Sequence, residues 1–253
     1  MTTVSQPRVD EPENSIIIPV LNEEAGIRET IDRIPPAVTA TSEILVLDGM
    51  SDDATVVEAE AAGAEVFLVD RLGKGYAMQI GAEVARGRNL VFLDGDGSYP
   101  SEDIPRFLAA VEAGVLVIGN AVPFLKRQKS WYEKWKLLYP SFRLTQYVFS
   151  RYGIRLQDPL NGMRAITRKD YLQLELASRG FAIETEMDIK ALAHGLHVVE
   201  VPIQIAPRKG ESKFLFNFKS HMKILHLLRS NTFNGTQPLP PTPRGRYTKA
   251  SFE

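Results

Sequence analysis

The sequence predicts an α/β fold built on a largely parallel sheet. Two observations carry the prediction. Short apolar runs rich in Ile, Val and Leu recur through the first half, each long enough for one buried strand. Between them lie stretches of helical spacing that open on Ser, Asp, Glu or Gly and close on Gly or Pro. Strands alternating with helices of about 10–15 residues fold as βαβ units.

Taken in order, SIIIPV (15–20) is the first strand. Residues 22–34 follow as a helix with acidic residues in its opening turn, and Pro35-Pro36 stops it. SEILVLD (42–48) is the second strand, and 51–63 a helix with a Ser/Asp start and a Gly end. AEVFLVD (64–70) is the third strand, Gly73-Lys74-Gly75 turns the chain, and 76–86 is a helix. NLVFLD (89–94) is the fourth strand, followed by a helix over 101–113 and the strand VLVIGN (115–120). The second half is less regular. Residues 126–152 suggest one or two helices bearing basic and aromatic side chains, 158–168 a turn and strand, 181–194 a helix, and 197–205 a strand. Residues 214–230 form a candidate amphipathic helix, with Phe and Leu set against Lys213, Lys219, Lys223 and Arg229. That composition suits a membrane interface or a docking helix against the core. The polar residues 1–14 and the Pro/Gly/Thr-rich 232–253 read as disordered.

Composition narrows the function classes. A chain of 253 residues with 44% hydrophobic content supports one large domain or two merged halves. The formal net charge of −1 sets up no global field toward nucleic acid. With no cysteine, disulfides, thiol catalysis and Cys-ligated zinc are excluded, and a reducing, cytoplasmic setting is expected. The N-terminus has no apolar signal core, and no uncharged apolar run reaches the ~18 residues that span a bilayer.

Ligands of parallel sheets gather beyond the carboxyl ends of the strands, and acidic residues collect there: Glu23, Asp48, and Asp94 and Asp96 in DGDG. In an extended segment, residues at i and i+2 point the same way. Asp94 and Asp96 are thus expected to face one ligand, with Gly95 letting a bulky group approach the backbone. Two carboxylates so close repel unless a cation lies between them. Hard oxygen ligands suit Mg²⁺ or Mn²⁺, which complete their shell with water and phosphate oxygens. The alternative is that DGDG is only a tight turn. GKG lacks the spacing of a phosphate-binding loop, and no G-x-G-x-x-G follows the first strand. Lys74 either faces a phosphate or belongs to a plain glycine-flanked helix start.

Six segments resemble the family 2 glycosyltransferases in order: IIIPVLNEE, LVLDGMSDDAT, GKGYAMQIGAEVARGRNLVFLDGDGSYP, DPLNGMRAI, FAIETEMDIKALAHG and VPIQIAPRKGESKF. The resemblance covers roughly 15–230 and is nearest to the dolichyl-phosphate mannose synthases and related polyprenyl-phosphate hexosyltransferases. It implies a GT-A fold, a Rossmann-like, mostly parallel sheet flanked by helices. It further implies a nucleotide-diphosphate sugar donor, a divalent metal, and inversion at the anomeric carbon. The D-x-D motif falls on Asp94 and Asp96, and Ser98 stands where such synthases carry a Gln near the metal. The segment that cradles base and ribose falls on Pro19, Leu21, Asn22 and Glu23, and the base-contacting aspartate on Asp48. The R-x-x-G-x-S-K stretch falls on Arg208, Gly210, Ser212 and Lys213, with one residue fewer between the Arg and the Gly. Two departures are DGDGS in place of DADLQ, and Met50 in place of a small residue. The membrane-spanning helices that many members append are not expected here.

On that resemblance the chain divides into a nucleotide-sugar-binding half (15–120), an acceptor-binding half (121–213), the amphipathic helix (214–231) and a tail. The expected reaction moves a hexose, mannose from GDP-mannose first and glucose from UDP-glucose next, onto a polyprenyl phosphate at the inner membrane face. Such an acceptor is already an anion and needs cations rather than a strong base. Arg208 and Lys213 are the leading candidates, and Arg127 and Arg143 secondary ones. Asp96, Glu184 and Arg208 make up the expected catalytic set. Glu184 and Glu186 can orient sugar hydroxyls, and because i and i+2 do not share a helical face, one of them is expected at the surface. A hydroxyl acceptor would instead need Glu184 or Asp188 as base. A nucleotide-sugar-binding subunit without turnover is a third reading. His194 and His197 show no metal-ligand pattern.

Overall fold

The computed structural model describes residues 12–128, 144–151, 153–210 and 247–249, and the statements below concern these. An eight-stranded mixed sheet runs in the order β7-β5-β6-β4-β1-β2-β3-β8. Strands β1 (Asn14–Val20), β2 (Ser42–Asp48), β3 (Glu65–Val69) and β4 (Asn89–Phe92) are mutually parallel. Beyond β4, strand β6 (Arg164–Thr167) runs antiparallel between β4 and β5 (Val115–Asn120), and β7 (His197–Pro202) pairs parallel with β5. Residues Tyr247–Lys249, within the stretch read as disordered, form β8 along the open edge of β3.

Both faces of the sheet are covered, which is why β1 reads as an unbroken apolar run rather than an alternation. Ile16 and Ile18 pack on one face with Ile27 and Ile31 of α1 (Ile27–Asp32), Val38 of α2 (Pro36–Thr39), Ala59 of α3 (Thr55–Ala61) and Phe107 of α5 (Ile104–Ala110). Ile17 packs on the other, with Met78 and Ile80 of α4 (Lys74–Val84). The same face takes Leu144 and Val148 of α7 (144–151), Tyr171 of α8 (Arg168–Gln173), and Ile183 and Met187 of α9 (Ile183–Ala193). Helix α6 (Val122–Gln128) follows β5 directly.

The bounds of β2 and β5 coincide with the strands expected from the sequence. Elsewhere polar side chains trim the elements. Helix α1 starts at Ile27, not residue 22, because 22–26 is a loop pinned to the next one: Asn22 adopts φ 52° and exchanges hydrogen bonds with Asp52, while the Glu23 N–H donates to Thr55 Oγ1. Helix α3 starts at Thr55 because its N–H bonds the Asp53 carboxylate at 2.9 Å. Pro36 takes the first position of the unforeseen α2, where a missing N–H costs nothing, and the unforeseen α8 is capped by Thr167. Strand β4 stops at Phe92, before Asp94. The amphipathic stretch 214–230, Lys213 and Arg143 lie outside the described residues, as does the side chain of Arg127. No helix among the described residues is long and apolar enough to cross a membrane.

Candidate active site

A cleft of about 360 Å³ opens beyond the carboxyl ends of β1 to β4. Pro19, Leu21 and Glu23 line it from the β1 loop, Gly49 from the β2 loop, and Asp70, Arg71 and Leu72 from the end of β3. Lys74 of α4, the turn Asp94-Gly95-Asp96, Phe181 and Arg208 complete the wall. Eight of the residues expected from the sequence meet here: Pro19, Leu21, Glu23, Lys74, Asp94, Gly95, Asp96 and Arg208.

Others do not line the cleft. Asp48 is fully buried and its carboxylate is taken by the backbone N–H (2.8 Å) and hydroxyl of Ser51. Asn22 is turned toward Asp52. Ser98 donates from its N–H (2.9 Å) and hydroxyl (2.5 Å) to the Asp96 carboxylate, so it holds the turn. Met50 is 55% exposed with φ 65°, and its carbonyl accepts from Arg71 at 2.7 Å. His194 and His197 are both exposed.

The turn itself corrects two expectations. Asp94 and Asp96 sit beyond the strand, so the alternation of an extended chain does not set their directions; the turn does. Gly95 is not glycine to make room for a ligand. A Cβ there would stand 2.5 Å from Val20 Cγ1 and 3.2 Å from Ile27 Cδ1, so its bare side faces the apolar layer beneath.

Two ion-pair networks fill the site. The Lys74 ammonium lies 2.6 Å from both Asp94 and Glu184. Burial alone would lower the pKa of Lys74, but the Asp94 and Glu184 carboxylates outweigh it and hold the ammonium above its ordinary value. The Arg208 guanidinium forks between Asp96 (2.9 Å) and Glu23 (2.5 Å), and its Nε is buried without a partner among the described residues. Each aspartate of the pair therefore already has one cation against it.

Glu184 and Glu186 are both buried, which overturns the expectation that one is at the surface. Helix α9 is enclosed on either side of these positions. Glu184 turns to Lys74 and leaves Oε2 buried without a partner among the described residues. Glu186 accepts from the backbone N–H groups of Ala177 (3.0 Å) and Ser178 (2.7 Å) and pairs with Lys190. That fixes the segment 177–180 across the start of α4, where the Arg179 carbonyl accepts from the Tyr76 N–H at 3.0 Å. One of the free donors at the α4 N-terminus is thus already satisfied, and Lys74 acts through its side chain.

Removing one member of so enclosed a network leaves uncompensated charge. Lys74→Met is expected to cost about 3 kcal/mol of stability, measured as a lowered denaturant midpoint. Adding Glu184→Gln should recover part of the loss, and an unchanged midpoint in the single variant would contradict the burial of this network.

The donor set fits a divalent cation of the Mg²⁺ or Mn²⁺ type. Two hard carboxylates on one turn face a cleft, and both already attract a positive group. Among the described residues no three His, Cys, Asp or Glu side chains converge on one point. Such a cation held by Asp94 and Asp96 would draw the rest of its shell from water and phosphate.

Sequence reasoning missed Tyr99, Gly162 and Arg164. The Tyr99 hydroxyl accepts from the Gly162 N–H at 2.8 Å, and burial, with Asp94 nearby, pushes its pKa above the ordinary value, so it keeps a proton to donate. The only sequence signals were their places, Tyr99 one residue past DGDGS, and Gly162 and Arg164 inside DPLNGMRAI.

Residues 15–173 match the family described as Glycosyl transferase family 2. Among curated relatives, an undecaprenyl-phosphate mannosyltransferase of Micrococcus luteus is 32% identical over 210 residues, covering 78% of this chain and 85% of the relative. A polyprenol monophosphomannose synthase of Mycolicibacterium smegmatis is 30% identical over 212 residues, with 78% and 79% covered. A low-salt glycan biosynthesis hexosyltransferase of Haloferax volcanii is 28% identical over 215 residues; that match covers 79% of this chain and only 49% of the relative, so the chain spans about half its length. Among solved structures, glucosyl-3-phosphoglycerate synthase from Mycobacterium tuberculosis in complex with UDP superposes with a TM-score of 0.66 at 26% identity, covering 87% of this chain and 79% of that one.

Proposed function

The chain belongs to glycosyl transferase family 2, and we propose that its cleft binds a nucleoside-diphosphate hexose with a divalent cation and passes the hexose to a polyprenyl phosphate. The observation that carries this reading is the turn Asp94-Gly95-Asp96, whose two carboxylates face one cleft while Arg208 closes over it. Relatives named for undecaprenyl phosphate and polyprenol support the acceptor class.

In the proposed reaction a phosphate oxygen of the acceptor attacks the anomeric carbon, the bond to the donor diphosphate breaks on the opposite face, and configuration inverts. Asp94 and Asp96 would hold the divalent cation, which when bound would neutralise charge on the departing diphosphate. Arg208, held at the cleft wall between Asp96 and Glu23, adds positive charge beside the same group. Leu21, Gly49 and the run Asp70–Leu72 hold the nucleoside end. Glu184, expected in the catalytic set, does not line the cleft; paired with Lys74, it helps to hold the ammonium against Asp94. On this reading the membrane surface is met peripherally, Lys213 is a candidate for the acceptor phosphate, and the composition of 214–230 suits the interface.

Transfer to a hydroxyl acceptor is disfavoured by the same geometry. It needs a general base at the cleft, and neither candidate lines it: Glu184 is paired with Lys74, and Asp188, with no exposure, with the equally buried Arg164. A phosphate nucleophile needs neither.

A thermal-shift panel of UDP, GDP, UDP-glucose and GDP-mannose, each with Mn²⁺ and with EDTA, tests the reading. One nucleotide series is expected to raise Tm with Mn²⁺ and to lose most of that rise in EDTA. GDP-mannose is the first donor to examine because two relatives are named for mannose; UDP-glucose follows because the structural neighbour was solved with UDP. A panel flat for every nucleotide counts against it.

A further inference from the structure

We propose that Arg164, which does not line the cleft, is a positioning residue that sets Asp94 through the loop 158–162; the inference rests on the reading of Asp94 as a cation ligand. Arg164 opens β6 and is fully buried. Its backbone pairs with Phe92, the last residue of β4 and two before Asp94. A buried guanidinium must find partners for its N–H groups, and here they come from two places. Asp188 on α9 takes Nη1 and, at 3.5 Å, Nη2. The other two bonds go to the loop: Nε donates to the Asn161 carbonyl at 2.8 Å and Nη2 to the Pro159 carbonyl at 2.8 Å. Those two carbonyl bonds satisfy the buried fork and at the same time fix the loop backbone at Pro159 and Asn161.

What those two bonds shape lies against the site. The loop ends on Gly162, and a Cβ built there would stand 3.0 and 3.2 Å from the two Asp94 carboxylate oxygens and 3.1 Å from Lys74 Nζ. The Gly162 N–H is held by Tyr99. The loop backbone is therefore a wall that limits where the Asp94 carboxylate and the Lys74 ammonium rest. Arg164 holds that wall from behind with a rigid fork, which a lysine's single ammonium cannot reproduce.

Two variants approach the wall from opposite sides. Gly162→Ala pushes a methyl toward Asp94 without touching the buried pair. Arg164→Met combined with Asp188→Leu removes the fork while leaving no buried charge, a replacement that folded proteins tolerate. The readout is the Mn²⁺ concentration giving half of the metal-dependent thermal shift at saturating GDP or UDP, set beside the shift from nucleotide in EDTA. Both variants are expected to need ~10-fold more Mn²⁺ or beyond, the usual cost of losing an outer-shell support, with the EDTA shift unchanged. If the wild type responds to Mn²⁺ and the Arg164→Met/Asp188→Leu variant has its midpoint, whatever its Tm and whatever Gly162→Ala does, Arg164 is structural only and the inference is overturned. If the wild type itself shows no metal-dependent shift, the cation reading of Asp94 fails and takes the inference with it.

Discussion

Asp96→Asn is expected to lower hexose transfer by ~10³-fold, the several kcal/mol of transition-state stabilisation that a correctly held cation supplies, while leaving the fold in place. The residue is buried, and among the described residues its carboxylate accepts from the Ser98 N–H, the Ser98 hydroxyl and Arg208. An asparagine oxygen can still accept from Ser98, so the turn survives. The negative charge facing the cleft does not. The check is kcat at saturating donor and Mn²⁺ alongside Tm: a collapse in kcat with Tm little changed is expected, and near-normal turnover would remove Asp96 from the cation's shell.

Arg208→Gln has the second largest expected effect, about 10²–10³-fold in kcat, the loss seen when one preorganised donor to developing charge is removed. Arg208 spans Asp96 and Glu23, both buried, and brings the 203–210 loop onto the turn, where the Lys209 N–H donates to the Asp96 carbonyl at 3.0 Å. The same substitution carries a second expectation of opposite sign. With the guanidinium gone, Asp96 and Glu23 lose a cation that competes for the same carboxylate oxygens. Mn²⁺ without nucleotide should then bind more tightly to Arg208→Gln than to the wild type, as a direct Mn²⁺ titration followed by electron paramagnetic resonance reads. Equal or weaker binding would mean that Arg208 and the metal do not meet on Asp96.

Much of the architecture was legible because it depends on local pattern. The stretches 42–48 and 115–120 are β2 and β5 to the residue, since their apolar centres ILVL and VLVI suit a strand covered on both faces. The gathering of acidic residues at strand ends was legible too, as a consequence of parallel topology. What was not legible depends on partners distant in the chain. Nothing near Glu184 announces Lys74, 110 positions earlier, so spacing alone suggested an outward glutamate where an enclosed ion pair exists. Gly95 looked like an opening for a ligand because its neighbours are carboxylates; the layer that excludes a side chain comes from Val20 and Ile27. Asp48 could have been read locally, since Asp followed three residues later by Ser is an ordinary way to close a turn, and its carboxylate is used that way. The loop 158–162 escaped notice because its role comes through Arg164, a charge with no exposed atom.

The most direct measurement is transfer of radiolabelled hexose from GDP-mannose or UDP-glucose to a detergent-dispersed polyprenyl phosphate, with Mn²⁺ and with EDTA, for the wild type and Asp96→Asn. The predicted result is label in the lipid-extractable fraction from one donor, abolished by EDTA and reduced ~10³-fold by the substitution. Lipid labelling that survives both EDTA and Asp96→Asn would contradict a cation-held diphosphate at this turn.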